Sequence, residues 1–226
     1  MDSPPTSEPQ NPQTGRRGLP QAYAVRSQRE RLLEAMARVV ATKGYEAATV
    51  TDVVEYAGVS RASFEELFDD KATCFLEAYD AVIDVLVAHV TAAFEAVAEE
   101  PWPAQVAAAL SALVELLAAE ADVARMVMVE VTAAGDEARE RYRAALGRFT
   151  PFLEQGRSYS GQGEALPPDT ARFAVGGATS LVFDEVRAGR GPEVRRILPD
   201  LVFAVLMPYL GPEAAEEEMR RVARER

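Results

Sequence analysis

The chain has 226 residues, 48% hydrophobic and 27% charged, with a formal net charge of −12. That length allows one large domain or two small ones with a real core. Cys74 is the single cysteine, which excludes an intrachain disulfide, and with His89 the single histidine little remains from which to build a zinc site, so no metal or other cofactor is expected.

Residues 1–25, MDSPPTSEPQNPQTGRRGLPQAYAV, are rich in Pro, Gln, Ser and Gly and are expected to form a disordered arm. Arg16 and Arg17 sit just ahead of the first helix. They are placed either to enter a DNA minor groove or to serve as a solubilising linker. No basic start is followed by an apolar run, so no signal peptide is expected and a cytoplasmic location follows. Gln28 to Thr42 is an amphipathic helix (Leu32, Leu33, Met36, Val39, Val40) that stops at Lys43-Gly44-Tyr45.

The next stretch, Thr49 to Phe68, has the grammar of a helix-turn-helix. Thr49 is an N-cap with Asp52 three residues on, and Val50, Val53, Val54 and Ala57 form the apolar face. Gly58 supplies a left-handed turn, Val59 plugs the angle, and Ser60 caps the second helix. Phe64, Leu67 and Phe68 point that helix inward, leaving Arg61, Ala62, Ser63, Glu65 and Glu66 nearer its outer surface.

On these residues the chain resembles the TetR-type transcriptional regulators. The match runs from Arg26 to Tyr79 and rests on Lys43-Gly44-Tyr45, Thr49-Val50-Thr51-Asp52-Val53-Val54, Ala57-Gly58-Val59-Ser60, Ser63-Phe64, Phe68 and Lys71. The resemblance implies double-stranded DNA as a partner, with Thr49 and Lys71 at phosphates and Arg61, Ala62 and Ser63 at the recognition surface. Arg61 is either a reader of guanine or a solvated surface charge. Glu65 stands where the family usually has a tyrosine; a carboxylate is repelled by phosphate, so that tyrosine's role does not transfer.

Charge is unevenly spread. Residues 16–48 hold seven basic and three acidic side chains, whereas residues 49–75 hold two basic and six acidic, and residues 76–226 carry fifteen basic against twenty-five acidic. The helix-turn-helix itself is acidic. Electrostatic attraction to DNA is therefore expected from the arm and first helix, and binding should be salt-dependent.

Downstream, helices are expected over Ala72 to Ala98, Ala104 to Glu120, Val123 to Ala133, Asp136 to about Gln155, Asp169 to Ala188 and Glu193 to Leu210, with a weaker acidic one from Glu213. Gly156 to Pro168 reads as a flexible loop. The longest uncharged run, Pro101 to Val114, has fourteen residues, short of the ~18 that would suggest a membrane span, so no membrane association is expected. The fold class is all-α: a helix-turn-helix domain over residues 26–75, then a larger helical ligand-binding and dimerisation domain over residues 76–226.

The resemblance assigns the last two large helices to a homodimer interface, with Phe173, Gly177, Leu181, Leu201, Val205 and Tyr209 as candidate contacts; packing within one chain is the alternative. A two-fold dimer implies a palindromic operator. It also implies a small-molecule effector pocket in the middle helices. Candidate lining residues are Trp102, Leu113, Leu117, Met126, Met128, Tyr142, Phe149, Phe152 and Phe173, with Glu130, Thr132 or Arg172 as polar anchors. Each of the apolar ones also serves as plain core. No phosphate loop or nucleophile elbow is present, so no enzyme is expected. The reading is a ligand-responsive repressor; the alternative is a helical ligand-binding or protein-interaction module with weakened DNA binding.

Overall fold

A computed structural model describes residues 21–159 and 165–224; Arg16, Arg17 and the rest of the arm up to residue 20 lie outside the described residues. Every regular element described is helical: α1 Gln21–Lys43, α2 Val50–Ala57, α3 Arg61–Leu67, α4 Lys71–Glu95, α5 Trp102–Ala119, α6 Ala121–Met128, α7 Asp136–Gly147, α8 Thr150–Tyr159, α9 Thr170–Arg187, α10 Leu198–Leu210 and α11 Pro212–Arg224. Short 3₁₀ segments follow α6 (Glu130–Ala133) and precede α10 (Gly191–Ile197).

Two hydrophobic cores organise the chain. One is built from Leu32, Met36 and Val40 of α1, Val53 and Ala57 of α2, Phe64 of α3 and Cys74, Phe75 and Tyr79 of α4. It does not end at α4, because Met126, Val127, Val131, Ala138 and Ala145 of α6, its 3₁₀ extension and α7 belong to the same cluster. The other joins the distal half of α4 to α5, α8, α9, α10 and α11. The linking helix α4 thus serves both. Burying this much apolar surface is the main force holding the three-helix head on the larger helical body.

Three expectations are corrected. The helix expected over Asp136 to Gln155 is two: after Gly147 the chain tightens, with the amides of Arg148 and Phe149 donating to the carbonyls of Ala145 and Leu146 (3.1 and 3.2 Å), and Pro151 then restarts it in the first turn of α8. Gly156 is not in a loop. It lies in α8, where an added Cβ would come within 2.6 Å of Trp102 Cζ2 and 2.7 Å of Tyr209 Cδ1, so glycine is what lets those rings lie against the helix. Finally α5, with Glu115 its one charge, is long and apolar enough by length and composition to cross a membrane, although the uncharged run within it is shorter. Half of that stretch is buried, against α4, α10 and the 3₁₀ segment before α10 among others, as expected of a core helix.

Candidate nucleic-acid interface and ligand cavity

The helix-turn-helix is assembled by its caps. Thr49 and Asp52 form a complete capping box: the Asp52 amide donates to Thr49 Oγ1 (3.2 Å) and the Thr49 amide donates to Asp52 Oδ2 (3.0 Å). Lys43 Nζ donates to Asp52 Oδ1 at 2.5 Å. The lysine hydrogen bond, then those from the Thr49 side chain and backbone, hold the Asp52 carboxyl down at about 2. Gly58 takes the left-handed conformation, φ 61°, and returns amide hydrogen bonds to the end of α2. Ser60 Oγ accepts from the Ser63 amide at 3.0 Å to start α3.

Phe64 and Phe68 are buried and stack 5.4 Å apart, which turns Arg61, Ala62, Glu65 and Glu66 outward. Of the candidate DNA contacts on α3, Arg61 and Ala62 are exposed and Ser63 is half-buried, and the two polar ones have particular partners. Arg61 Nε donates to Glu65 Oε1 at 2.9 Å, so the acidic residue in the tyrosine position neutralises the one arginine of α3. Ser63 shares a hydrogen bond with Ser60, and the Thr49 hydroxyl is used inside its box.

Lys71 departs from its expected place at a phosphate. Its ammonium donates to the carbonyls of Tyr45 (2.9 Å) and Ala48 (3.0 Å) and lies 4.2 Å from the centre of the Tyr45 ring, so it holds the loop between α1 and α2. Three cations of α1 are similarly engaged. Arg29 pairs with Glu77 and covers the Phe68 ring, Arg38 pairs with Glu120 at 2.9 Å, and Lys43 pairs with Asp52. Two of these pairs tie the head to α4 and the body, and the third lies within the head.

The same loop is held from the other side. Glu130, 7% exposed, follows α6; its Oε2 accepts the Tyr45 amide at 2.9 Å and its Oε1 pairs with Arg125 at 2.9 Å. Gly44, at φ +83°, lets it in: a Cβ there would sit 3.3 Å from the carboxylate. Tyr45 thus has its amide held by the body and its carbonyl by Lys71.

Between α4, α5, α6, α7, α8, α9 and α10 lies a cavity of about 110 Å³. Of the candidates, Leu113, Leu117, Met128, Tyr142, Phe149 and Phe152 line it. Trp102, Met126, Glu130 and Phe173 do not. Trp102 is a structural post, its Nε1 donating to the Phe152 carbonyl (2.9 Å) and its ring 5.2 Å from Tyr209. Met126 faces the other core, Glu130 faces Tyr45, and Phe173 is 81% exposed. Thr132 and Arg172 lie at the surface, Arg172 pairing with Asp169.

Three of the candidate dimer residues are redirected. Leu201 and Val205 line the cavity and Tyr209 packs on Trp102, all three buried within one chain. The exposed stripe instead comprises Phe173, Gly176, Gly177 and Leu181 of α9 with Ala204 and Met207 of α10. Helical period explains the error: α10 is apolar around most of its girth, and the sequence does not say which third faces inward. Tyr79, Ile83 and Leu86 of α4 were missed as lining residues. The signal was a tyrosine at helical spacing with Phe75, Ile83 and Leu86 on the buried face of the linking helix.

Residues 32–78 match the model of the family described as bacterial regulatory proteins, tetR family. That match lies on the helix-turn-helix head and the start of α4. Its fold is similar to that of a fatty acid degradation regulator, FadR, from Bacillus halodurans (TM-score 0.70, 15% identity, covering 79% of this chain and 94% of that one). It is also similar to FadR from Bacillus subtilis, solved in complex with stearoyl-CoA (TM-score 0.66, 16% identity, 80% and 98% covered). A tetR-family protein from Rhodococcus RHA1 gives a TM-score of 0.63 at 20% identity, with 81% and 97% covered. At these identities the likeness speaks for the fold. No curated protein matches this chain's sequence.

Proposed function

We propose that the protein is a homodimeric repressor that binds a palindromic operator and leaves it when a small, largely apolar effector fills the cavity. The capped helix-turn-helix, with the outer face of α3 exposed, is the observation that carries this reading. Residues 26–75 would read DNA and residues 76–226 would bind effector and partner, with residues 1–25 as an arm reaching DNA through Arg16 and Arg17. Arg61, Ala62 and Ser63 meet the bases, Arg61 exchanging Glu65 for guanine. That exchange is cheap, because an exposed i,i+4 ion pair is worth only about 0.3–0.5 kcal/mol.

The exposed stripe on α9 and α10 supports dimerisation. Phe173, Leu181 and Met207 are large apolar side chains left in solvent, and Gly176 and Gly177 have nothing within 4 Å of an added Cβ, so a second backbone can approach closely there. An apolar effector is supported by the cavity lining and by the stearoyl-CoA bound to the similar B. subtilis regulator. The coupling runs through α6: Val127 and Met128 line the cavity, and two residues further on Glu130 holds Tyr45. An effector that moves α6 or α4 therefore displaces the loop on which α2 is hung.

The acidic helix-turn-helix, with Arg61 already paired, favours a second reading: an interaction module that has lost DNA affinity. Anisotropy titration with the duplex upstream of the protein's own gene separates the two. The repressor reading expects specific binding that weakens steeply with salt. Absence of binding to any duplex at low salt, in the full chain with its arm, selects the second reading.

A further inference from the structure

Among the described residues, every side chain lining the cavity is uncharged, and only Tyr79, Tyr142 and Thr179 are polar. Tyr79 is 1% exposed, and its hydroxyl has no hydrogen-bond partner among the described residues. Buried hydroxyls are normally satisfied, so an orphan in a cavity wall points to a ligand group that completes it. Burial, and then the neighbouring Tyr142, push the Tyr79 phenol far above the usual phenol range, while burial also raises Tyr142; both are protonated donors at neutral pH. No cation is present to meet an anionic group, and a bare carboxylate there would lose its water without a counter-charge.

The geometry points to Tyr79, with Tyr142 beside it, as the polar reading head for an uncharged hydrogen-bond acceptor, such as an ester, thioester or ketone carbonyl, carried on an apolar body. This rests on the reading of the cavity as the effector site and names the chemistry that site selects. Tyr142 is carried on α7, which is tied to α4 by the ion pairs Arg141–Asp80 and Arg148–Asp84, so the two hydroxyl-bearing helices are held together. Tyr79 itself sits on the linking helix, within the core shared with the DNA-binding head. A ligand recognised at this hydroxyl is therefore recognised on the element that serves both cores.

The test is displacement of the neutral fluorophore 1-N-phenylnaphthylamine from the full-length dimer by methyl decanoate, decanoate at pH 7.5, and 1-chlorodecane. Methyl decanoate is expected to displace about tenfold more tightly than either of the others. Tyr79→Phe should abolish its advantage over 1-chlorodecane, each variant being referred to its own measured fluorophore affinity, and Tyr142→Phe should reduce that advantage. The melting temperature of Tyr79→Phe should be equal or higher, since the change removes an unpaired buried hydroxyl; a purely structural hydroxyl would lower it. Equal displacement by methyl decanoate from wild type and Tyr79→Phe, or tightest displacement by decanoate, overturns the inference while leaving the cavity reading intact. Failure of the fluorophore to bind, or of all three compounds to displace it, overturns the cavity reading and this inference with it.

Discussion

Cys74 shows how a residue that reads ambiguously in sequence acquires a definite chemistry from its surroundings. It sits at the start of α4, where a helix N-terminus can lower a thiol pKa, yet it is fully buried between α1 and α4. Burial, with Glu77 adding to it, pushes the thiol up to about 12. The fold therefore disfavours the thiolate, and it is stability above the ordinary thiol pKa of about 8.5, towards pH 12, that this residue erodes. Thiol-specific reagents at pH 8 should label Cys74 only after denaturant is added; fast stoichiometric labelling of native protein would contradict this. Gly156 makes the opposite case, a residue that composition assigned to a loop. Gly156→Ala forces Cβ into the rings of Trp102 and Tyr209 and should cost about 1–3 kcal/mol, read as a lower midpoint in chemical denaturation. An unchanged midpoint would show that the rings can give way. What sequence lacked at both positions was the tertiary neighbour: nothing local to Gly156 announces an indole from α5.

At the scale of elements, the helix-turn-helix was legible because its signals are local. The capping box, the left-handed glycine and the serine cap are each decided within four residues. The motif that contains Lys71 is legible locally, but the carbonyls its ammonium holds lie 23 and 26 residues away. The same distance problem hid the latch between Glu130 and Tyr45, which spans 85 residues. If that latch carries the effector signal, Glu130→Ala should bind cavity ligands with unchanged affinity yet lose most of the effector-induced fall in operator affinity. Typical couplings of ~1–3 kcal/mol correspond to roughly 5- to 150-fold, so the loss is measurable by anisotropy with and without ligand. A variant that responds as fully as wild type would move the coupling elsewhere, with α4 the next candidate.

For the whole molecule, a protein of net charge −12 that binds DNA must concentrate its positive groups, and the α1 cations Arg29, Arg38 and Lys43 are occupied by Glu77, Glu120 and Asp52. In the proposed dimeric repressor the burden would fall on the arm, on Arg61 and on the doubling of contacts that a dimer provides. A charged residue in the exposed stripe, as in Leu181→Arg with Phe173→Asp, should yield a monomer by sedimentation velocity with its helical content intact; a persistent dimer would place the interface elsewhere. The overall division into a small reading head and a larger body was visible from helix punctuation alone. Which faces of α9 and α10 look outward was not, since both helices are apolar over most of their circumference and only the packed structure chooses. The most direct test of the account is selection of duplexes from a randomised pool by the full-length protein. The account predicts enrichment of a two-fold symmetric sequence with half-sites one helical turn apart or a multiple of it, about 34–36 Å per turn, lost in Arg61→Ala. Failure to enrich any sequence at low salt, or enrichment of an asymmetric one indifferent to Arg61, would contradict it.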